Sequence, residues 1–203
     1  MRTFLFDIDG TLVDSAAVVE RVWRQVAREF GADEQAVLRD SHGRIDTDVA
    51  RDYFRPEQAG AVLARVSELD MSLIEGVAAT PGARDLLAAL DPDRWAAVTS
   101  GGRRLMSGRL RTAGLPLPRV LVSADDVTRG KPDPEGYLTA AAALGAAPGS
   151  CVVVEDSPAG VAAGRAAGAL VVAVTTTHEP AALTAADIVI PDLCALRAAL
   201  PAA

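Results

Sequence analysis

Hydrophobic positions along this chain recur with two different periods, and the change between them divides it. The run Phe4-Leu5-Phe6 is too short for a helix and is followed by Asp7, Asp9 and Gly10. That pattern suits a buried strand of a parallel sheet that stops abruptly. After residue 15 the period lengthens. Val19, Val22, Trp23, Val26 and Phe30 recur at three- and four-residue spacing, which predicts an amphipathic helix closed near Gly31. Short helices are predicted over 33–40 and 46–54, separated by the turn Ser41-His42-Gly43-Arg44, and another from Pro56 to about residue 73. No strand pattern occurs between residues 15 and 80, so the segment reads as a wholly helical insertion after the first strand.

From Thr80-Pro81-Gly82 onward the two patterns alternate. Strands are predicted over 95–99, 119–122, 151–155, 170–174 and 187–190, with helices over 83–90, 103–113, 134–144, 158–167 and 192–200. Strands alternating with helices imply βαβ units, hence an α/β fold with a parallel sheet and helices on both its faces. At 203 residues there is room for one such core and a modest insertion.

Composition narrows the partners. A net charge of −7 and a pI near 4.8 argue against broad binding to nucleic acid or to an anionic membrane surface. No apolar run approaches the ~20 residues needed to cross a bilayer, and the N-terminal residues lack a signal-peptide pattern, so a cytoplasmic location is expected. Cys151 and Cys194 are too few for a disulfide framework.

The polar residues of interest collect where the predicted strands end, the edge at which such sheets bind ligands. Asp7 and Asp9 lie two apart, and two carboxylates that close repel unless a cation or a shared proton intervenes. A hard divalent ion such as Mg²⁺ takes oxygen ligands of this kind. An ordinary Asx turn with a helix cap at Asp14 or Ser15 would use the same residues. Thr99-Ser100-Gly101-Gly102 offers a hydroxyl and free N–H groups for a phosphate, or simply an N-cap at Ser100. Lys131, between Gly130 and Pro132, is the chain's only lysine, and could neutralise a phosphate and a carboxylate together or remain a solvated loop residue. Glu155 and Asp156 end a buried strand as adjacent acids. Asp156 could complete a Mg²⁺ shell begun by Asp7, whereas a helix N-terminal acid before Pro158 would explain one of the two.

Taken together, Asp7-Ile8-Asp9-Gly10-Thr11-Leu12-Val13-Asp14, Thr99-Ser100, Gly130-Lys131-Pro132-Asp133-Pro134 and Glu155-Asp156-Ser157 resemble the four motifs of the haloacid-dehalogenase-like (HAD) superfamily. The insertion resembles the small cap of its β-phosphoglucomutase-like branch. The resemblance implies a Rossmann-like doubly wound parallel sheet core over 1–14 and 80–203, with an all-helical cap domain over 15–79. It also implies covalent phosphoryl transfer, with Asp7 as nucleophile and Asp9 as general acid and base. Mg²⁺ would be held by Asp7, the Asp9 carbonyl and Asp156, with Glu155 in support. Thr99, Ser100 and Lys131 would bind the phosphate oxygens, Thr99 and Lys131 also stabilising the transferring group.

Relatives that break carbon–halogen bonds lack an acid at the Asp9 position, so the resemblance favours a phosphatase. Mutases of the branch carry His where this chain has Val19, which points to hydrolysis. The segments around Val19-Glu20-Arg21-Val22-Trp23, His42-Gly43-Arg44 and Val98-Thr99-Ser100-Gly101 look like the sugar- and polyol-phosphate phosphatases. Glu20, His42 and Arg44 are candidate substrate readers, although Glu20 and Arg44 would serve equally as solvated charges. Trp23 fits the cap interior better than a sugar-stacking role. The expected partner is a small-molecule phosphate ester, and the protein itself is expected to be a monomer. A β-phosphoglucomutase-type mutase, a phosphoglycolate phosphatase and a catalytically silent binding protein on the same fold are the competing readings.

Overall fold

A computed structural model describes residues 2–41, 44–73 and 75–200. Strand β1 (Thr3–Phe6) is fully buried and lies in the middle of a six-stranded sheet. The others are β4 (Trp95–Val98), β5 (Leu121–Val122), β6 (Cys151–Glu155), β7 (Leu170–Val174) and β8 (Ile188–Ile190); β2 (Val13–Asp14) and β3 (Ala78–Ala79) lie outside the sheet. Their spatial order is β5-β4-β1-β6-β7-β8 and every pairing is parallel. The chain lays β4 and β5 on one side of β1, then crosses back to place β6 on the other. That reversal leaves a crevice at the carboxyl ends of β1, β4 and β6.

Residues of β1 alternate between the two faces. Phe4 and Phe6 pack with Trp95, Val152 and Val154 under α5 (Ala83–Ala89), α6 (Arg103–Thr112) and α9 (Leu193–Ala199), whose Leu86, Met106, Leu110 and Leu193 complete that layer. Leu5 points the other way, into a layer with Val98, Val153 and the residues Tyr137, Ala140 and Val161. Those belong to α7 (Glu135–Ala143) and α8 (Pro158–Ala166).

Between β1 and β4 the chain forms α1 (Ala16–Phe30), α2 (Glu34–Ser41), α3 (Asp46–Tyr53) and α4 (Ala59–Ser72). Val22, Trp23, Val26, Val37, Val49, Val62 and Val66 from these helices are buried together with Phe54, which follows α3. Gly31 closes α1 at φ 74°, as the sequence predicts. One feature departs from the helical expectation for 15–80. Val13–Asp14 (β2) pairs antiparallel with Ala78–Ala79 (β3) where the chain leaves and re-enters the core. Two residues per strand are too few to leave a period-2 pattern. The pair is fixed instead by long-range bonds: Thr80 donates its N–H to Leu12 O (3.1 Å) and its hydroxyl to Thr11 O (2.6 Å). Among the described residues no helix is long and apolar enough to cross a membrane.

Candidate active site

Asp7 follows directly on β1, and its N–H bonds Val154 O at 3.0 Å, so the register of the sheet fixes its place. Lys131, the chain's single lysine, comes from the loop before α7. Its Nζ donates to Asp7 Oδ1 and to Glu155 Oε1, both at 2.5 Å, and to Val98 O at 3.3 Å. The Tyr137 ring lies beneath it, 5.4 Å from the ammonium. A lysine this enclosed, with its side chain 8% exposed, needs such partners to remain charged. Asp7 and Glu155 hold its pKa above the ordinary value against the opposing effect of burial.

Glu155 is completely buried. Oε1 also accepts from the Tyr137 hydroxyl (2.8 Å), while Oε2 accepts from Asp156 N (3.0 Å), Ser157 N (3.1 Å) and Ser157 Oγ (3.0 Å). Burial alone would raise this carboxyl; Lys131 and the donors around it leave it below the usual range. Gly160 makes room for it, since a Cβ there would lie 1.8 Å from the carboxylate. Gly160→Ala is expected to lower the melting temperature by about 2–12 °C, from an overpacking cost of ~1–3 kcal/mol at ~2–4 °C per kcal/mol. It should also weaken activity by moving Glu155 and hence Lys131. A thermal melt indistinguishable from wild type would show that Glu155 yields freely.

Asp156 accepts from Thr11 Oγ1 at 3.1 Å and from the Thr177 hydroxyl. Gly10, at φ +83°, permits its close approach: a Cβ would come within 2.2 Å of Asp156 Oδ2. Burial, with Glu155 next in importance, pushes the Asp156 carboxyl up to about 7. Asp7 is likewise held well above the usual range by burial, with Glu155 and Asp156 adding to the effect and Lys131 opposing it. Among the described residues, Asp7, Glu155 and Asp156 are the acids whose oxygens come within 4.8 Å of one another. Three buried carboxylates facing one lysine are an excess of negative charge that a hard cation relieves. The all-oxygen donor set fits Mg²⁺. Among the described residues, each Glu155 oxygen already accepts two or three hydrogen bonds, whereas each Asp156 oxygen accepts one and Asp7 only the one from Lys131, so Asp7 and Asp156 are the carboxylates with lone pairs left to hold it.

Asp9 takes a different direction from Asp7, because the strand ends at Phe6 and the chain turns. Its Oδ1 accepts from Ser15 Oγ and its Oδ2 from Arg109 Nη1, each at 2.7 Å. Ser15 stands at the N-cap of α1 but spends no side-chain bond on the helix, serving Asp9 instead. Arg109 Nη2 continues to Asp70 Oδ1 at 2.8 Å, which ties α6 to α4. Asp46, at the start of α3, belongs to the same electrostatic group. Burial, with Asp70 as the next cause, pushes its carboxyl up to about 7. Ser100 does not cap α6; Gly102 holds that position, and the Thr99 hydroxyl accepts from Gly101 N at 3.1 Å.

A cavity between the sheet edge and α1–α4 brings most of these residues together. Asp7, Asp9, Thr99, Ser100, Lys131 and Asp156 line it from the core, and Val19, Trp23, Ser41, Arg44, Asp46 and Asp70 from the helices. Arg44 reaches the cavity, with its guanidinium bonded to Asp52 at 2.5 Å. Glu20, expected among the substrate readers, does not line it: its carboxylate pairs with Arg24 one turn along α1, half-exposed. His42 lies outside the described residues. Trp23 is packed, 2% exposed, with its ring 6.1 Å from that of Phe54. Arg109, Asp70, Asp46 and Ser41 were not among the predicted residues. Arg109 and Asp70 did leave a signal, since each is an ionisable residue on the buried face of its helix, beside Leu110 and Leu69.

A doubly wound parallel sheet with acids and a lysine at its carboxyl edge, covered by a group of helices, defines a Rossmann-like enzyme with a capped site. Residues 1–168 match the haloacid dehalogenase-like hydrolase family, and the chain belongs to it. It is 43% identical over 197 residues to hexitol phosphatase A of Escherichia coli strain K12, covering 95% of this chain and 91% of that one. To validoxylamine A 7'-phosphate phosphatase of Streptomyces hygroscopicus subsp. limoneus it is 39% identical, covering 97% and 96%. A crystal structure of a hydrolase from Pseudomonas syringae superimposes with a TM-score of 0.88 at 27% identity, over 98% of this chain and 97% of that one. A β-phosphoglucomutase from Clostridium difficile shares the fold, with a TM-score of 0.83 at 22% identity over 97% and 93% of the two chains.

Proposed function

We propose that this hydrolase removes phosphate from small sugar or polyol phosphates, with Mg²⁺, through a phosphorylated Asp7. The enzyme class itself, a HAD-type phosphoric monoester hydrolase, rests on the family and on the phosphatases to which the chain is similar. The observation that carries the mechanism is the division of labour between the two aspartates. Asp7 is bonded to Lys131 within the buried acid cluster, whereas Asp9 is held apart by Ser15 and Arg109 on the side facing the helices.

In this reading Asp7 attacks phosphorus and the ester oxygen leaves as the alcohol. Asp9 gives the leaving oxygen its proton, then takes one from the water that cleaves the acyl phosphate and restores Asp7. Lys131, the Thr99 hydroxyl and the Ser100 N–H neutralise the phosphate oxygens as charge shifts among them. Glu155 holds Lys131 in position. Asp7, the Asp9 carbonyl and Asp156 would hold Mg²⁺, which when bound offsets charge on the phosphate and lets Asp7 approach it. Helices α1–α4 form the cap that excludes bulk water and reads the alcohol. Val19 lines the cavity at the position where the mutases carry His, which supports hydrolysis over phosphate return to a second sugar hydroxyl.

Phosphate release is the direct test, with glucitol 6-phosphate, 2-deoxyglucose 6-phosphate, glycerol phosphate, phosphoglycolate and β-glucose 1-phosphate as substrates. Release is expected with Mg²⁺ and should vanish in EDTA. Conversion of β-glucose 1-phosphate to glucose 6-phosphate without free phosphate would make the chain a mutase. Absence of release from every ester would leave a binding protein.

A further inference from the structure

The wall that the helices present to the cavity differs in charge from the sheet edge opposite. At the sheet edge Lys131, Thr99 and Ser100 line the end that receives the phosphate in the reading above. The two cations that meet the helical wall are already engaged, Arg109 of α6 with Asp9 and Asp70, and Arg44 with Asp52. Asp9, Asp46 and Asp70 all surround the single Arg109, so negative charge is in excess there. Ser41 adds a separate observation. It lines the same cavity, is 4% exposed, and its hydroxyl has no hydrogen-bond partner among the described residues. Arg109 Nε is a second buried donor without one. Buried polar groups left unpaired in a cavity wall mark where a ligand supplies the partner.

We propose that Ser41, Asp46 and Asp70 form the subsite for the leaving alcohol, and that it accepts an uncharged polyhydroxyl chain while rejecting a second anionic group. The assignment rests on the phosphatase reading for which wall receives the phosphate. A hydroxyl can donate to a carboxylate and accept from Ser41 or from Arg109 Nε at once. A carboxylate or second phosphate can only accept, and would face three acids whose one shared cation is taken. Val19 and Trp23 beside these groups offer apolar surface to the carbon chain.

Glucitol 6-phosphate and 6-phosphogluconate differ at one carbon, CH₂OH against carboxylate, and so isolate the charge. Their affinities are measured by titration calorimetry with Mg²⁺ on Asp7→Asn enzyme, so that turnover does not interfere. The polyol ester is expected to bind at least about 30-fold more tightly, as like-charge contacts within a site discriminate on this scale. Asp46→Asn, which leaves the Arg109 bonds untouched, should narrow that ratio about 5-fold, and adding Asp70→Asn should narrow it further. Ser41→Ala should weaken glucitol 6-phosphate about 5–10-fold and leave inorganic phosphate unchanged. Equal binding of the two esters, binding of neither, or a ratio indifferent to both acid substitutions would overturn the proposal. Wild-type phosphate release is read separately. The expected ratio without any release would sink the phosphatase reading and leave the subsite standing.

Discussion

Asp7→Asn is expected to lower kcat for phosphate release at least about 10⁴-fold while the protein still folds, because loss of an attacking group removes the covalent route outright. The amide keeps the shape of the carboxylate and can still accept from Lys131, but its oxygen is not a nucleophile. Folding is protected because Asp7 is a strained member of its cluster. Burial first, then Glu155 and Asp156, keep its carboxyl well above the usual range despite Lys131. A carboxyl raised in the folded state contributes stability below its ordinary pKa and loses that contribution as pH rises through the folded value. The metal-free wild type is thus expected to lose stability as pH rises from about 4 toward neutrality. Asp156, pushed up to about 7, acts in the same direction. Asp7→Asn lacks its share of that loss, so near neutral pH and without metal it should melt no lower than wild type. Mg²⁺ should raise the melting temperature of the wild type more than that of the variant. Residual turnover above about 1% of wild type would remove Asp7 from the nucleophile role.

The parts of the site that depend on strands were legible in the sequence, and the parts that depend on helix docking were not. Phe4-Leu5-Phe6 and Val152-Val153-Val154 are continuous apolar runs, so their ends could be located to the residue, and with them Asp7, Glu155 and Asp156. Once β1 and β6 pair in register, these acids must converge. Lys131 was legible as a lysine confined between Gly130 and Pro132, though its two carboxylate partners are a product of the tertiary fold. Glu20 shows the limit on the helical side. The period of α1 fixed its buried stripe, yet only the docked structure shows which flank of that stripe borders the cavity and which carries Glu20 paired to Arg24. Asp46, Asp70 and Ser41 come from three different helices and share no local pattern. Their meeting is set by the packing of α2, α3 and α4 and by Arg109 reaching across from the core.

Arg109→Ala is expected to lose about 3–5 kcal/mol of stability, the cost of removing one partner from buried charges. Arg109 is 2% exposed and its side chain joins Asp9, beside β1, to Asp70 on α4. Without the guanidinium, Asp70, whose side chain is 9% exposed, stays buried among apolar residues with its charge uncompensated. Burial already raises the Asp70 carboxyl against the pull of Arg109, so truncation leaves burial and Asp9 acting in one direction. The same argument says how the damage can be repaired. Replacing the pair together, as Arg109→Met with Asp70→Leu, exchanges buried charges for packing and should recover most of the loss, since a well-packed apolar substitute for an ion pair is often neutral or better. Arg109→Lys should fall between, because a single ammonium cannot span both carboxylates as the guanidinium fork does. Urea denaturation of the wild type, Arg109→Met, Asp70→Leu and the double variant gives the double-mutant cycle. A coupling near zero between positions 109 and 70 would mean that the two merely sit together. A coupling of a few kcal/mol would mean that the link setting the helices over Asp9 is electrostatic, and that the leaving-alcohol wall is held in place from the core.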